Sequence, residues 1–147
     1  MFLQDKKILE LGSGTGLLGL CLLKCHGVTS YTFTDCHHKV LNSIIYNLKL
    51  NTSSSAESAE DRLCLTSSGP PNVVDEETAA NAVYENSEGV FVRHLDWTQE
   101  DLNLQDTFDV ILGSDIVYER SLLPGLCRVI RLTLKASQSP EPLAYIA

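Results

Sequence analysis

Lys7-Ile8-Leu9-Glu10-Leu11-Gly12-Ser13-Gly14-Thr15-Gly16 is the stretch that decides the fold. Its first five residues form a short, mostly apolar run of the kind found in buried parallel strands, and glycines at alternate positions then end it. Thr15 to Cys25 is dense in leucine and is followed by Gly27, which predicts a helix closed at a glycine. Strand, glycine turn and helix in that order make the opening unit of a doubly wound α/β sheet.

The same pattern repeats downstream. Ser30-Tyr31-Thr32-Phe33-Thr34 is aromatic and β-branched and predicts a second strand; Val40, Leu41, Ile44, Ile45 and Leu48 then recur at helical intervals. From Thr52 to Gly89 the periodicity stops, and the segment reads as an acidic, low-complexity insertion at 52–89. Val90 to Leu95 resumes as a strand, with a short helix expected over Thr98 to Leu102 and Thr98 as its cap. Phe108 to Gly113 predicts the next strand, Arg120 to Lys135 a helix that tolerates Pro124 near its start, and Leu143 to Ala147 a last strand. Five strands alternating with four helical stretches predict a Rossmann-like, mostly parallel sheet with helices on both faces. Ligands then belong at the carboxyl ends of its strands.

With 147 residues, 44% of them hydrophobic, the chain has material for one core, so residues 1–147 are read as a single domain. Eleven Lys and Arg against nineteen Asp and Glu leave a net charge of −8. Between Thr52 and Gly89 eight acids face Arg62 alone, so −7 of that total sits in the insertion and the rest is nearly neutral. A nucleic-acid partner is not expected, because no basic patch is present to neutralise phosphates. No stretch approaches a membrane span, and the first residues run into Lys6-Lys7 rather than an apolar signal core, which makes a cytoplasmic protein the expectation. Five cysteines (Cys21, Cys25, Cys36, Cys64, Cys127) without framework spacing are expected to be free thiols and small core residues. Cys25-His26 and Cys36-His37-His38 lack the paired spacing of a zinc site, so no metal is expected.

The glycines satisfy two templates. Gly12, Gly14 and Gly16 give G-x-G-x-G, while Gly14, Gly16 and Gly19 fit the dinucleotide fingerprint G-x-G-x-x-G. Glu10 separates them, since a carboxylate at the strand end suits the ammonium group of S-adenosylmethionine and opposes a pyrophosphate. Asp35 ends the second strand, where a carboxylate can accept from both ribose hydroxyls in either cofactor. Leu95-Asp96-Trp97 puts an aromatic face and a carboxylate where an adenine would lie; alternatively Trp97 packs the core and Asp96 caps the next turn. Ser114, Asp115 and Tyr118 follow the fourth strand, which in such a sheet lies beside the first. Ser114 is therefore expected to face the cofactor, with Asp115 and Tyr118 in the reacting crevice, although Asp115 can also serve as a helix cap.

ELGSGTG, TDCHHKVL, LDW and SDIVY occur here in the order seen in the seven-stranded lysine methyltransferases, and the set resembles methyltransferase family 16 over residues 7 to 51 and 90 to 147. The resemblance is strongest to the branch that modifies eukaryotic elongation factor 2. It implies an S-adenosylmethionine-dependent protein-lysine N-methyltransferase with elongation factor 2 as partner and no nucleic acid, membrane or metal. It further implies that Gly12, Ser13, Gly14, Asp35, Trp97 and Ser114 line the cofactor pocket, with Asp115 and Tyr118 near the acceptor lysine. Members of the family continue into a C-terminal antiparallel hairpin that is not found here. The expectation is thus a C-terminally truncated domain whose last strand is an exposed apolar edge. A non-catalytic cofactor-binding fragment derived from such an enzyme is the alternative, and a nicotinamide-dependent enzyme is a third reading, opposed by the context of Glu10, LDW and SDIVY.

Overall fold

The structure, a computed structural model, describes residues 3–25, 27–52, 84–86, 89–100, 102, 104 and 106–147. The elements in chain order are β1 (Lys7–Leu11), α1 (Leu17–Cys25), β2 (Ser30–Asp35), α2 (His38–Thr52), β3 (Tyr84–Glu85), β4 (Val90–His94), β5 (Val110–Gly113), a 3-10 turn (Arg120–Leu122), α3 (Leu123–Ala136) and β6 (Leu143–Ile146). The strands form one sheet in the order β3-β4-β2-β1-β5-β6. All its pairings are parallel except β3 with β4. From β1 the chain winds out through β2 to β4, then returns to place β5 on the other side of β1. The reversal between β1 and β5 is the switch point at which such sheets hold ligands.

Alternation along β1 divides the core. Ile8 packs with Tyr31 and Phe33 of β2 and with Leu41, Ile44 and Leu48 of α2, and α1 also covers this face. Leu9 and Leu11 point to the opposite face, against Ile111 of β5 and Leu126 and Val129 of α3. Each large apolar side chain buried this way contributes about 1.5–3 kcal/mol. Helix α1 approaches the sheet closely at Gly19, where a Cβ would sit 2.2 Å from the Phe33 ring. The third glycine of the dinucleotide-like spacing therefore serves packing rather than ligand contact.

Four local expectations need correction. The sheet has six strands rather than five, because Tyr84–Glu85 pairs antiparallel with Phe91 and Val92. This pairing falls inside the segment read as an insertion. Its turn is closed by Asn86, whose amide donates to Val90 O at 3.1 Å and whose Oδ1 accepts from Val90 N at 2.9 Å, with Gly89 left-handed at φ 75°. Two residues of strand carry no periodicity to read, and most of 52–89 lies outside the described residues. Of the stretch from Thr98 to Leu102, the described residues form turns instead of a helix. Gly27 is not among the left-handed glycines, so it does not end α1 as a left-handed cap. Finally, Cys21, Cys25, Cys36 and Cys127 are free but exposed rather than core residues, and Cys64 lies outside the described residues.

β6 closes one end of the strand order, and its side chains are exposed along its whole length, Tyr145 at 50%. Among the described residues no helix is long and apolar enough to cross a membrane.

Candidate active site

The site begins with the turn after β1. Gly12 and Gly14 hold φ of 62° and 55°, the left-handed region that strains a residue with a Cβ. A Cβ on Gly12 would also meet Ile116 Cγ2 at 2.8 Å, whereas Gly14 faces open space, leaving its backbone free for a ligand to approach. Ser13 between them is buried and turned inward. Its amide donates to Thr34 O at 2.8 Å and its Oγ accepts from Thr34 N at 3.0 Å, while the Thr34 hydroxyl donates to Glu10 O at 2.6 Å. These bonds sew the glycine turn to the end of β2.

The join fixes Asp35. Its Oδ2 accepts from Gly14 N at 3.3 Å and its Oδ1 from His37 N at 3.0 Å, so the carboxylate stands at the rim of the turn with accepting capacity to spare. Glu10 lies below, 3% exposed, on the face shared with Tyr31. Neither Glu10 Oε2 nor the Tyr31 hydroxyl closes a hydrogen bond of good geometry. Burial pushes the Glu10 carboxyl up to about 7, against a smaller opposing pull from the Ser13 and Tyr31 side chains. Burial likewise raises the Tyr31 phenol, helped by the nearby Glu10 charge.

The third wall follows β4. Asp96 Oδ1 accepts from both the amide and the hydroxyl of Thr98, at 2.9 and 2.7 Å, and these bonds hold its carboxyl below the usual range. Asp96 thus caps the following turn and still lines the crevice. Trp97 combines its two readings as well: it packs against the α3-side core and presents its ring beside Gly12. Helix α3 grips its backbone, since a Cβ on Gly125 would lie 2.3 Å from Trp97 O and Arg128 donates to the same carbonyl at 2.9 Å. Between the walls, His94 Nε2 contacts Cys36 O at 3.0 Å and its ring stacks on His38, fixing the loop that follows Asp35. Burial, then the charges of Asp35 and Asp96, raise the Cys36 thiol.

The fourth wall is the segment after β5. Ser114 and Asp115 are exposed, Ile116 is buried, and Val117 and Tyr118 are 56% and 73% exposed. Asp115 adopts φ 57°, and its amide donates to Ala147 O at 2.7 Å.

One crevice therefore collects Gly12, Asp35, Trp97, Asp115 and Tyr118 from four strand ends. Glu10, Ser13, Gly14 and Ser114 are not among its lining residues: Glu10 and Ser13 are buried, Gly14 and Ser114 exposed. The crevice also holds residues that sequence reasoning did not assign to it, among them His37, Val40, Ile116 and Leu122. Val40 looked like one more core position of α2, and only its place one turn past Asp35 could have suggested otherwise. Among the described residues, no group of three or more His, Cys, Asp or Glu side chains is placed to hold a metal ion.

Comparison with known proteins identifies the family and the fold. A family model described as lysine methyltransferase matches residues 2–65 and 67–145. The chain is 30% identical over 145 residues to the protein-lysine N-methyltransferase EEF2KMT of Mus musculus, covering 97% of this chain and 37% of that protein. It is 26% identical to the calmodulin-lysine N-methyltransferase of Arabidopsis thaliana, with 97% and 37% covered. It thus spans less than two-fifths of the length of these relatives. Among solved structures, an S-adenosylmethionine-dependent methyltransferase from Mesorhizobium loti superposes with a TM-score of 0.50 at 18% identity, over 94% of this chain and 44% of that one, which speaks for the fold. Matched over nearly its whole length, the chain belongs to the lysine methyltransferase family, whose methyl donor is S-adenosylmethionine.

Proposed function

We propose that this chain forms the cofactor-binding and reacting edge of a cytoplasmic protein-lysine N-methyltransferase whose substrate is elongation factor 2. We read residues 1–147 as one domain carrying 52–89 as an insertion. The observation that carries the proposal is the convergence of Gly12, Asp35, Trp97 and Asp115 on a single crevice at the switch point. The relatives named for elongation factor 2 favour that substrate over calmodulin, since they are 28%, 30% and 32% identical to the chain against 26%.

The residues fit the cofactor. Gly14 offers open backbone, Asp35 has lone pairs to spare for ribose hydroxyls, and Trp97 with Leu95 and Val40 gives apolar walls for a purine, with Asp96 able to accept from its amine. Glu10, with a carboxylate oxygen lacking a partner, would hold the ammonium group from below the turn; Ser13 shapes that turn, and Ser114, exposed just after β5, would contact the cofactor from that side. When bound, S-adenosylmethionine supplies a methyl group on a sulfonium. Its methyl would pass to the neutral acceptor amine, with the sulfonium leaving as a thioether. The protein's task is alignment and deprotonation: Asp115 orients the incoming ammonium, Tyr118 shapes the slot, and the lysine, whose ordinary pKa is about 10.4, passes its proton to water before transfer.

The test is transfer of labelled methyl from S-adenosylmethionine to elongation factor 2, with calmodulin in parallel. Labelling of elongation factor 2 is expected. Labelling of calmodulin alone sinks the substrate assignment, and cofactor binding without transfer to either favours a non-catalytic binding module.

A further inference from the structure

Ile116 is 3% exposed, while Asp115 before it and Val117 after it are exposed. It fills the space that two glycines leave. A Cβ on Gly113 would lie 2.3 Å from Ile116 Cδ1, and one on Gly12 would lie 2.8 Å from Ile116 Cγ2. Gly113 has no left-handed backbone of its own, so the requirement for glycine there is steric. Ile146 Cδ1, 3.1 Å from the same point, forms another side of the notch.

The backbone repeats the theme. Ala147 N donates to Gly113 O at 2.9 Å, and Asp115 N donates to Ala147 O at 2.7 Å. One residue just past β6 therefore holds the chain on both sides of Ser114. Between its own bonded amide and the buried Ile116, Asp115 takes a left-handed conformation that residues with a Cβ rarely hold without support.

We propose that Ile116, seated in the Gly12–Gly113 notch, and Ala147, bonded across from it, form a clamp that sets the left-handed turn at Asp115 and aims its carboxylate into the crevice. Both are positioning residues. The clamp also ties the acceptor edge to the cofactor turn, since Ile116 packs at Gly12 as well as Gly113. What Asp115 does chemically rests on the proposed function, but the clamp itself does not.

Gly113→Ala should displace Ile116, and Ile116→Val removes the Cδ1 that the new methyl would strike. The double variant should therefore recover what Gly113→Ala loses. Three quantities are read on the full chain: amide hydrogen exchange at Asp115, S-adenosylmethionine affinity, and kcat for labelled methyl transfer. Gly113→Ala is expected to speed Asp115 exchange and to lower kcat by about ten-fold or more, with a smaller change in cofactor affinity, and the double variant to restore most of both. Should Gly113→Ala not fold, Ile116→Ala empties the notch without a clash and is expected to loosen the Asp115 amide in the same way. Unchanged exchange in these variants, or a double variant no better than Gly113→Ala, overturns the clamp. If the wild-type chain transfers no methyl, the exchange measurement still decides the clamp, while the proposed activity fails by itself.

Discussion

The two sides of the crevice are built differently. On the β1–β2 side, the glycine turn is stitched to Thr34 and Asp35 by backbone and side-chain bonds, with Ser13 and Glu10 buried beneath. On the β5 side, Ser114, Asp115, Val117 and Tyr118 are exposed, and the segment is held through Ile116 and Ala147. A cofactor shared by a whole family can be matched by a rigid wall held by its own hydrogen bonds, with the Glu10 carboxyl left over beneath it. An acceptor brought by another protein needs exposed groups on a few firm anchors. Changes on the first side should therefore register in folding and cofactor affinity, and changes on the second in turnover.

The largest expected effect tests the buried wall. With Glu10 raised from 4.5 to about 7 in the folded state, the folded protein holds this proton more tightly than the unfolded chain. Its contribution is complete below about 4.5 and is lost as pH rises through about 7, about 3 kcal/mol in all. Denaturant unfolding across that range should show the decline in the wild type and not in Glu10→Gln; parallel profiles would mean the carboxyl is not desolvated as the structure has it.

Next comes Asp35→Ala, which removes the acceptor proposed for the ribose. Calorimetry with S-adenosylmethionine should show Kd weakened roughly 30-fold, or about 2 kcal/mol. A change below about three-fold would remove Asp35 from the cofactor site. Asp115→Asn keeps a residue that tolerates left-handed backbone but removes the charge. Its kcat is expected to fall about ten-fold while Kd for the cofactor stays the same, and equal losses in both would erase the proposed division between the two walls. The finest test pairs two hydroxyls. Ser13→Ala strands the buried Thr34 amide and should cost 1–3 kcal/mol of stability, whereas Tyr118→Phe, changing an exposed side chain, should cost under about 0.5. Similar melting shifts for both would contradict the contrast.

Much of the fold was legible because long-range order here follows local pattern. Lys7–Leu11 ending in glycines, Ser30–Asp35 ending in a carboxylate, and the helical spacing of Leu41, Ile44 and Leu48 each carry their own signal. Tyr84–Glu85 carries none, being a strand only because β4 offers it an edge. The exposed cysteines escaped for a related reason: Cys21 and Cys25 sit on an apolar-looking helix whose outward face is defined only by what packs on the other. Within the site, Asp35 and Trp97 were readable from their positions at strand ends. Ser13 was not, since the direction its hydroxyl takes depends on Thr34, 21 residues away.

The sequence by itself determined the alternation of strands and helices, the glycine turn and the acids that end the strands, because these depend on backbone conformation and on periodicity within a few residues. Tertiary structure alone decided which of those groups meet. Gly113 reads as an ordinary strand-end glycine until Ile116 is seen filling its notch, and Asp115 as an ordinary turn acid until Ala147 is seen holding its amide. Steric exclusion and hydrogen bonding between distant segments exist only once the sheet has brought those segments together.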